Sequence, residues 1–93
     1  MEYIIEFKST ALKDLQKINN IDAKKLLAKI AILKDGIKGD VKRLTNYSPE
    51  YRLRSGDYRV LFEVIEIKII IYRIKHRKDA YKWKELIWIL NLK

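Results

Sequence analysis

The chain has 93 residues, enough for one compact domain and too few for two. It is 48% hydrophobic with 3 Gly, 1 Pro, no Cys and 1 His, which excludes a disordered chain, a disulfide framework, a thiolate zinc site and a histidine-rich metal site. Lys and Arg number 21 against 12 acidic residues, and the resulting net charge of +9 favours polyanionic partners such as RNA.

Residues 1–8 are interrupted by charge and lack the apolar core of a signal peptide. The longest apolar runs are far short of the ~20 residues that cross a bilayer. The expectation is a cytoplasmic protein with no membrane partner.

Residues 3–7 are β-rich and read as an opening strand. Ser9 and Thr10 offer a helix N-cap, and Ala11, Leu12, Leu15 and Ile18 recur behind them at helical spacing. Asn19 and Asn20 interrupt that pattern. Asp22 can cap a second helix, on which Leu26, Ile30 and Leu33 follow i, i+4, i+7. Asp35-Gly36 ends it, with glycine suited to a left-handed C′ position. The two helices form a hairpin whose lysines, among them Lys13, Lys24, Lys25 and Lys29, lie mostly on the solvent side.

The period then changes. Residues 41–44 make a possible short strand, and Asn46-Tyr47-Ser48-Pro49 has turn chemistry. Residues 51–54 and 58–64 are strands around Ser55-Gly56-Asp57. In the second, Tyr58, Val60, Phe62 and Val64 point one way and Arg59, Leu61 and Glu63 the other. Residues 67–74 are nearly all apolar, which suits an interior strand. Residues 79–92 read as a C-terminal helix. The expected fold is α+β: a helical hairpin on a mostly antiparallel four-stranded sheet, with the last helix, in one domain spanning residues 1–93.

Two stretches carry chemistry. Arg52 and Arg54 alternate with Leu53, so both guanidinium groups leave one strand face, and Arg59 follows across the turn. Planar guanidinium matches phosphate in bidentate fashion, and a polyanion relieves the repulsion among clustered arginines. The competing reading pairs one of them with Glu50, Asp57 or Glu63. The second stretch places Lys75, His76, Arg77, Lys78, Tyr81 and Lys82 where a strand gives way to a helix. Tyr81 can stack on a base or anchor the last helix.

The segment YRLRSGDYRVLFEV (residues 51–64), followed by a strand and HRKDAY (residues 76–81), resembles the RelE branch of the RelE/ParE toxin superfamily. The resemblance spans nearly the whole chain. It implies a toxin of a type II toxin–antitoxin system, a ribosome-dependent endoribonuclease acting on mRNA and silenced by a RelB-like antitoxin. The implied chemistry is attack of a ribose 2′-OH on the adjacent phosphate, without metal or small-molecule cofactor. By that resemblance Arg52 and Arg54 contact the scissile phosphate, Arg59 stabilises the transition state, and Arg77 and Tyr81 complete the site; Lys75, Lys78 and Lys82, the cations beside them, are the expected RNA contacts.

Arg54 stands where some relatives carry a lysine that can act as the base. Arginine does not deprotonate in proteins. The proton acceptor then falls to His76, whose ordinary pKa is ~6.5, or to Glu50 or Asp40. On the last helix, Trp88, Ile89 and Leu92 fall outside a single core-facing stripe and are the expected antitoxin contacts. Two other readings use the same basic face: a ParE-like gyrase poison and a non-catalytic RNA-binding module.

Overall fold

The computed structural model describes residues 2–44 and 49–78. The expected C-terminal helix, with Tyr81, Lys82, Trp88, Ile89 and Leu92, lies outside them, as do most of the turn residues 46–49. The chain enters helical conformation at Arg77 and Lys78.

The elements follow one another as β1 (Ile4–Phe7), α1 (Ser9–Gln16), α2 (Asn20–Ile32), β2 (Val41–Arg43), β3 (Tyr51–Ser55), β4 (Tyr58–Ile65) and β5 (Lys68–His76). The sheet has five strands, in the order β1-β5-β4-β3-β2. This corrects the expectation of four. The short segment Val41–Arg43 does pair, antiparallel to β3, and closes one side of the sheet. The sheet is also mixed, because β1 runs parallel to β5 while the other neighbours are antiparallel. The apolar strand β5 is interior, between β1 and β4, as its composition led one to expect.

The helices cover one face. Ala11 of α1, Leu26 and Ile30 of α2 and Leu33 just beyond it meet Leu53, Val60, Phe62, Ile69, Ile71 and Ile74 in a single core. Phe62, Val60, Ile69 and Ile71 are fully buried, and each such side chain contributes about 1.5–3 kcal/mol relative to exposure. The alternation read along β4 therefore holds, with Val60 and Phe62 inside and Tyr58 and Val64 packed at the margin. The helices do not pack chiefly on each other, as a hairpin implies. Instead α1 lies against β5 and β1, and α2 against β3.

Capping differs from the expectation in detail. Lys8, not Ser9 or Thr10, is the N-cap of α1, and the Thr10 hydroxyl instead donates to the Tyr72 carbonyl at 2.7 Å. Asn19 caps α2 by accepting from the Asp22 amide at 2.9 Å, while its Nδ2 donates to the Asp22 carboxylate at 2.8 Å. That reciprocal pair satisfies an orphan first-turn donor. After α2 a single 3-10 turn, Leu33–Asp35, leads to Gly36 at φ 156°, ψ 158°, so glycine ends the helix in a positive-φ conformation that favours it, though not in the compact left-handed C′ form expected.

Strand β5 outruns β1, whose pairing ends at Ile71. Helix α1 seals the edge left open. Thr10 takes up the Tyr72 carbonyl, and the Asp14 carboxylate accepts from the Ile74 amide at 3.0 Å and from Arg73 Nε and Nη2 at 2.8 and 3.1 Å. Unpaired strand edges invite association, and side chains here take the place of a neighbouring strand.

The β4–β5 turn holds Glu66 at φ 55°, the one positive-φ non-glycine residue among those described. The left-handed region costs a residue with a Cβ about 1–2 kcal/mol, partly offset by glycine's greater entropy loss on folding. Glu66→Gly is therefore expected to stabilise the domain by about 0.5–1 kcal/mol, read as a higher Tm in a thermal melt.

Candidate nucleic-acid interface

The face of the sheet turned away from the helices is cationic because of strand register. Arg54 of β3 lies directly opposite Arg59 of β4, which lies directly opposite Lys75 of β5. Side chains directly opposite each other share a face, so three cations stand in one row across three strands. The next row runs Lys42, Arg52, Leu61, Arg73. Like charges directly opposite one another destabilise a sheet, and this arrangement repeats that cost.

The two-residue turn Gly56-Asp57 makes the juxtaposition possible. Gly56 takes φ 58° while Asp57 does not share a positive φ, which matches the hairpin turn with glycine in first position. Such a turn keeps the strands in tight register, so Arg54 and Arg59 meet one residue pair from the loop.

Each cation is held differently. Arg59 donates from one nitrogen, Nη1, to the Gly56 carbonyl at 2.9 Å and the Tyr58 carbonyl at 3.0 Å. These neutral acceptors fix the guanidinium without cancelling its charge. Burial, followed by the charges of Arg52 and Arg54 and, more weakly, of Arg77, lowers the Arg59 pKa below the ordinary arginine value; Asp40 opposes the trend. Arg54 Nε donates to Asp40 Oδ2 at 2.6 Å. Arg77 lies 3.8 Å from Asp57 Oδ1, and its amide donates to the Asp57 carbonyl at 2.6 Å. Arg52 Nε is buried and has no hydrogen-bond partner among the described residues. Leu61, 2% exposed, lies between Arg52 and Arg73 and gives the face an apolar floor.

The structure thus brings Arg52, Arg54, Arg59, Arg77 and Lys75 together. Among the described residues, Glu50 binds Arg43 through a 2.7 Å hydrogen bond in place of the rival pairing, and Glu63 accepts from the Tyr72 hydroxyl at 3.4 Å. Asp57 faces Arg77, which was not one of the three arginines in that reading, and Arg54 pairs with Asp40 instead.

His76 is not brought to this face. It pairs in register with Tyr58 and meets the Tyr58 ring edge-on at 5.5 Å between centroids, on the side of the sheet that carries the core. Lys78 is exposed beyond the end of β5, and its amide donates to His76 Nδ1 at 3.3 Å. One residue of the face escaped the sequence reading and another was read only in part. Lys42 joins Arg52 across β2, and Val41-Lys42-Arg43, had it been read firmly as a strand, has the alternation to place it. Asp40 was singled out only as a weak proton acceptor, and nothing in its spacing shows that it reaches Arg54.

Two helices on one face of a mixed sheet, with arginines on the other, make a small α+β domain with a cationic surface suited to a polyanion. The chain belongs to the RelE/ParE superfamily, since the model of the ParE toxin family of type II toxin–antitoxin systems (parDE) matches residues 5–81. It is 32% identical over 82 residues to toxin RelE3 of Methanocaldococcus jannaschii, covering 83% of this chain and 93% of that protein. It is 25% identical over 87 residues to the mRNA interferase toxin RelE of Escherichia coli K12, covering 87% and 92%. Among solved structures it superposes on the RelB–RelE antitoxin–toxin complex from Methanococcus jannaschii with a TM-score of 0.71 and 31% identity, over 83% of this chain and 95% of that one. No helix among the described residues is long and apolar enough to cross a membrane.

Proposed function

We propose that this toxin is a ribosome-dependent endoribonuclease that cleaves mRNA by 2′-OH attack and is held inactive by a RelB-like antitoxin. The observation that carries the reading is the row Arg54, Arg59, Lys75 beside the buried, unpartnered Nε of Arg52. A buried donor without an acceptor costs about 1–3 kcal/mol, more when charged, and the Arg52 guanidinium that bears it has no ion-pair partner among the described residues, a charge that phosphate oxygens at the surface would balance. The same oxygens offset the like-charge repulsion along the row. Negative charge that grows on the phosphorane in the transition state meets donors already oriented over an apolar floor, where electrostatic stabilisation is strongest.

Atoms balance without any co-reactant. The 2′-oxygen gives up its proton and bonds to phosphorus, the bond to the 5′-oxygen breaks, and that oxygen gains a proton. The products are a 2′,3′-cyclic phosphate and a 5′-OH. The positive charge comes from guanidinium groups, so cleavage is expected to persist in EDTA when ribosome integrity is maintained.

The proton acceptor we assign is Asp40. His76 faces the other side of the sheet, and Glu50 is committed to Arg43. Asp40 alone among the three candidates touches the arginine cluster, at Arg54. Asp40→Asn is expected to slow cleavage by about 10²-fold, the lower end of what a positioned base contributes, with RNA affinity retained. His76→Gln is expected to leave the rate near that of wild type. The reverse ranking in single-turnover assays would return His76 to the chemistry.

Support for the substrate comes from relatives named RelE, one of them an mRNA interferase, and support for the antitoxin from RelB–RelE complexes of the same fold. The direct test incubates the protein with labelled mRNA, with and without ribosomes, and with gyrase and plasmid DNA. Cleavage only with ribosomes is the expected result. Linear DNA and intact mRNA would mark a gyrase poison, and RNA binding without cleavage a non-catalytic module.

A further inference from the structure

The face opposite the arginines carries a second feature. A cleft of about 400 Å³ opens between α2 and the tip of the β3–β4 hairpin, lined by Asp22, Lys25, Lys29, Gly56, Asp57 and Tyr58, with Ser55 and Ala28 in its wall. Lys25 and Lys29 are four residues apart, so they stand on the same side of α2 with Cβ atoms about 5–6 Å apart.

The charges in this lining are unequally engaged. Asp22 accepts from Asn19 Nδ2 at 2.8 Å, and Asp57 faces Arg77 at 3.8 Å. Lys25 and Lys29 have no ion-pair partner among the described residues. Asp22 keeps its charge beside the neutral Asn19 amide, so the lining as a whole is balanced, and the two ammonium groups on one side of α2 are the places in it where an anion can sit.

The cleft is physically continuous with the arginine face through the turn. The Gly56 carbonyl accepts from Arg59, and Asp57 contacts Arg77, while the same two turn residues line the cleft. A strand leaving the arginine row over the hairpin tip meets Lys25 and Lys29 next. Lysine suits that place, because it binds backbone phosphate as a point charge without demanding fixed geometry.

We propose that this cleft holds the RNA strand that flanks the cleaved bond, with Lys25 and Lys29 on successive phosphates and Tyr58 forming the wall beside a sugar or base. The proposal rests on the reading of the arginine face as an RNA site. The cleft adds hold on the strand and takes no part in bond cleavage.

The test uses two fluorescein-labelled RNAs with 2′-O-methyl riboses, which cannot be cleaved: one of about twelve nucleotides and one of three. Anisotropy titrations compare wild type, Lys25→Ala/Lys29→Ala, Lys25→Arg/Lys29→Arg and Arg59→Ala. The double alanine variant should bind the longer RNA about tenfold more weakly and lower its salt slope by about 1.4, the share of two single-strand phosphates. Its affinity for the trinucleotide should not change, and the double arginine variant should restore the longer RNA. In wild type, 4-thiouridine beyond the arginine-bound nucleotides should crosslink to the α2 peptide, a readout that needs no variant. Undiminished binding of the longer RNA by the double alanine variant, with Arg59→Ala weakening both RNAs, would overturn the cleft and leave the arginine site standing. If Arg59→Ala changes neither RNA, the function reading itself fails. Loss of antitoxin binding without loss of RNA binding would likewise overturn the proposal, since the cleft would then take a protein.

Discussion

Arg59→Ala is expected to slow mRNA cleavage on ribosomes by about 10²–10³-fold, the cost of removing one preorganised donor from a charge-stabilising site. Arg59 is the middle member of the row, flanked in register by Arg54 on one strand and Lys75 on the other. Its anchors are the backbone carbonyls of Gly56 and Tyr58, so its position is fixed while its charge stays available. Arg54 differs, because Asp40 already shares its charge. Arg59→Lys should recover only part of the rate, since an ammonium cannot hold both carbonyls and a phosphate in one plane. Lys24→Ala, on the exposed surface of α2, is the control and should stay within about twofold of wild type. The measurement is single-turnover cleavage of mRNA bound to ribosomes, with growth arrest on expression as a second readout. Equal losses from Arg59→Ala and Lys24→Ala would remove the site from the sheet.

Asp14→Ala is expected to cost about 2–4 kcal/mol of stability, between the value of a charged hydrogen bond and that of a broken buried pair. One carboxylate here serves three donors: two nitrogens of Arg73 and the Ile74 amide. The Asp14 side chain is 10% exposed and that of Arg73 is 23%, so solvent screens the pair far less than a surface bridge. The loss also reopens the edge of β5 beyond the end of β1. Burial alone would raise the Asp14 pKa. The hydrogen bonds from Arg73 and Ile74, with the charges of Arg73 and Lys75, outweigh burial and hold it below the usual 3.8. A carboxyl depressed in the folded state contributes stability above its unfolded pKa and loses it as pH falls through the lower, folded value. Wild type should therefore lose stability below about pH 3.8 more steeply than Asp14→Asn, in urea melts at matched salt.

Much of the fold was legible because burial on one face writes a period into the chain. Tyr58, Val60, Phe62 and Val64 alternate with Arg59, Leu61 and Glu63, and the sheet honours that alternation. Leu26, Ile30 and Leu33 likewise predicted the core face of α2, and all three are buried. The arginine face followed from the same reasoning, applied to Arg52 and Arg54.

His76 shows where such reasoning stops. Along β5 a strict period of two would place Ile69, Ile71, Arg73 and Lys75 in the core and His76 beside the arginines. Between β4 and β5 the register shifts by one: Leu61 faces Arg73 while Phe62 faces Ile71, leaving Tyr72 as the extra residue. That bulge moves Ile74 into the core, Lys75 onto the arginine row and His76 to the opposite side. An almost unbroken apolar run hides the shift, since Ile70 and Ile74 look alike in sequence. The capping errors have another origin. Ser9 and Thr10 have the right chemistry for an N-cap, but the open edge of β5 competes for the Thr10 hydroxyl. Asp40 was obscured for a third reason. It meets Arg54 across 14 residues of chain, through the pairing of a three-residue strand that sequence marks only faintly.

The most direct measurement is the chemistry of the cut ends. Purified toxin, incubated with ribosomes carrying a defined mRNA, should yield fragments ending in 2′,3′-cyclic phosphate and beginning with 5′-OH, resolved by mass spectrometry. Arg59→Ala at the same concentration should leave the mRNA largely intact. Fragments bearing 3′-OH and 5′-phosphate ends, or cleavage undiminished in Arg59→Ala, would contradict the account.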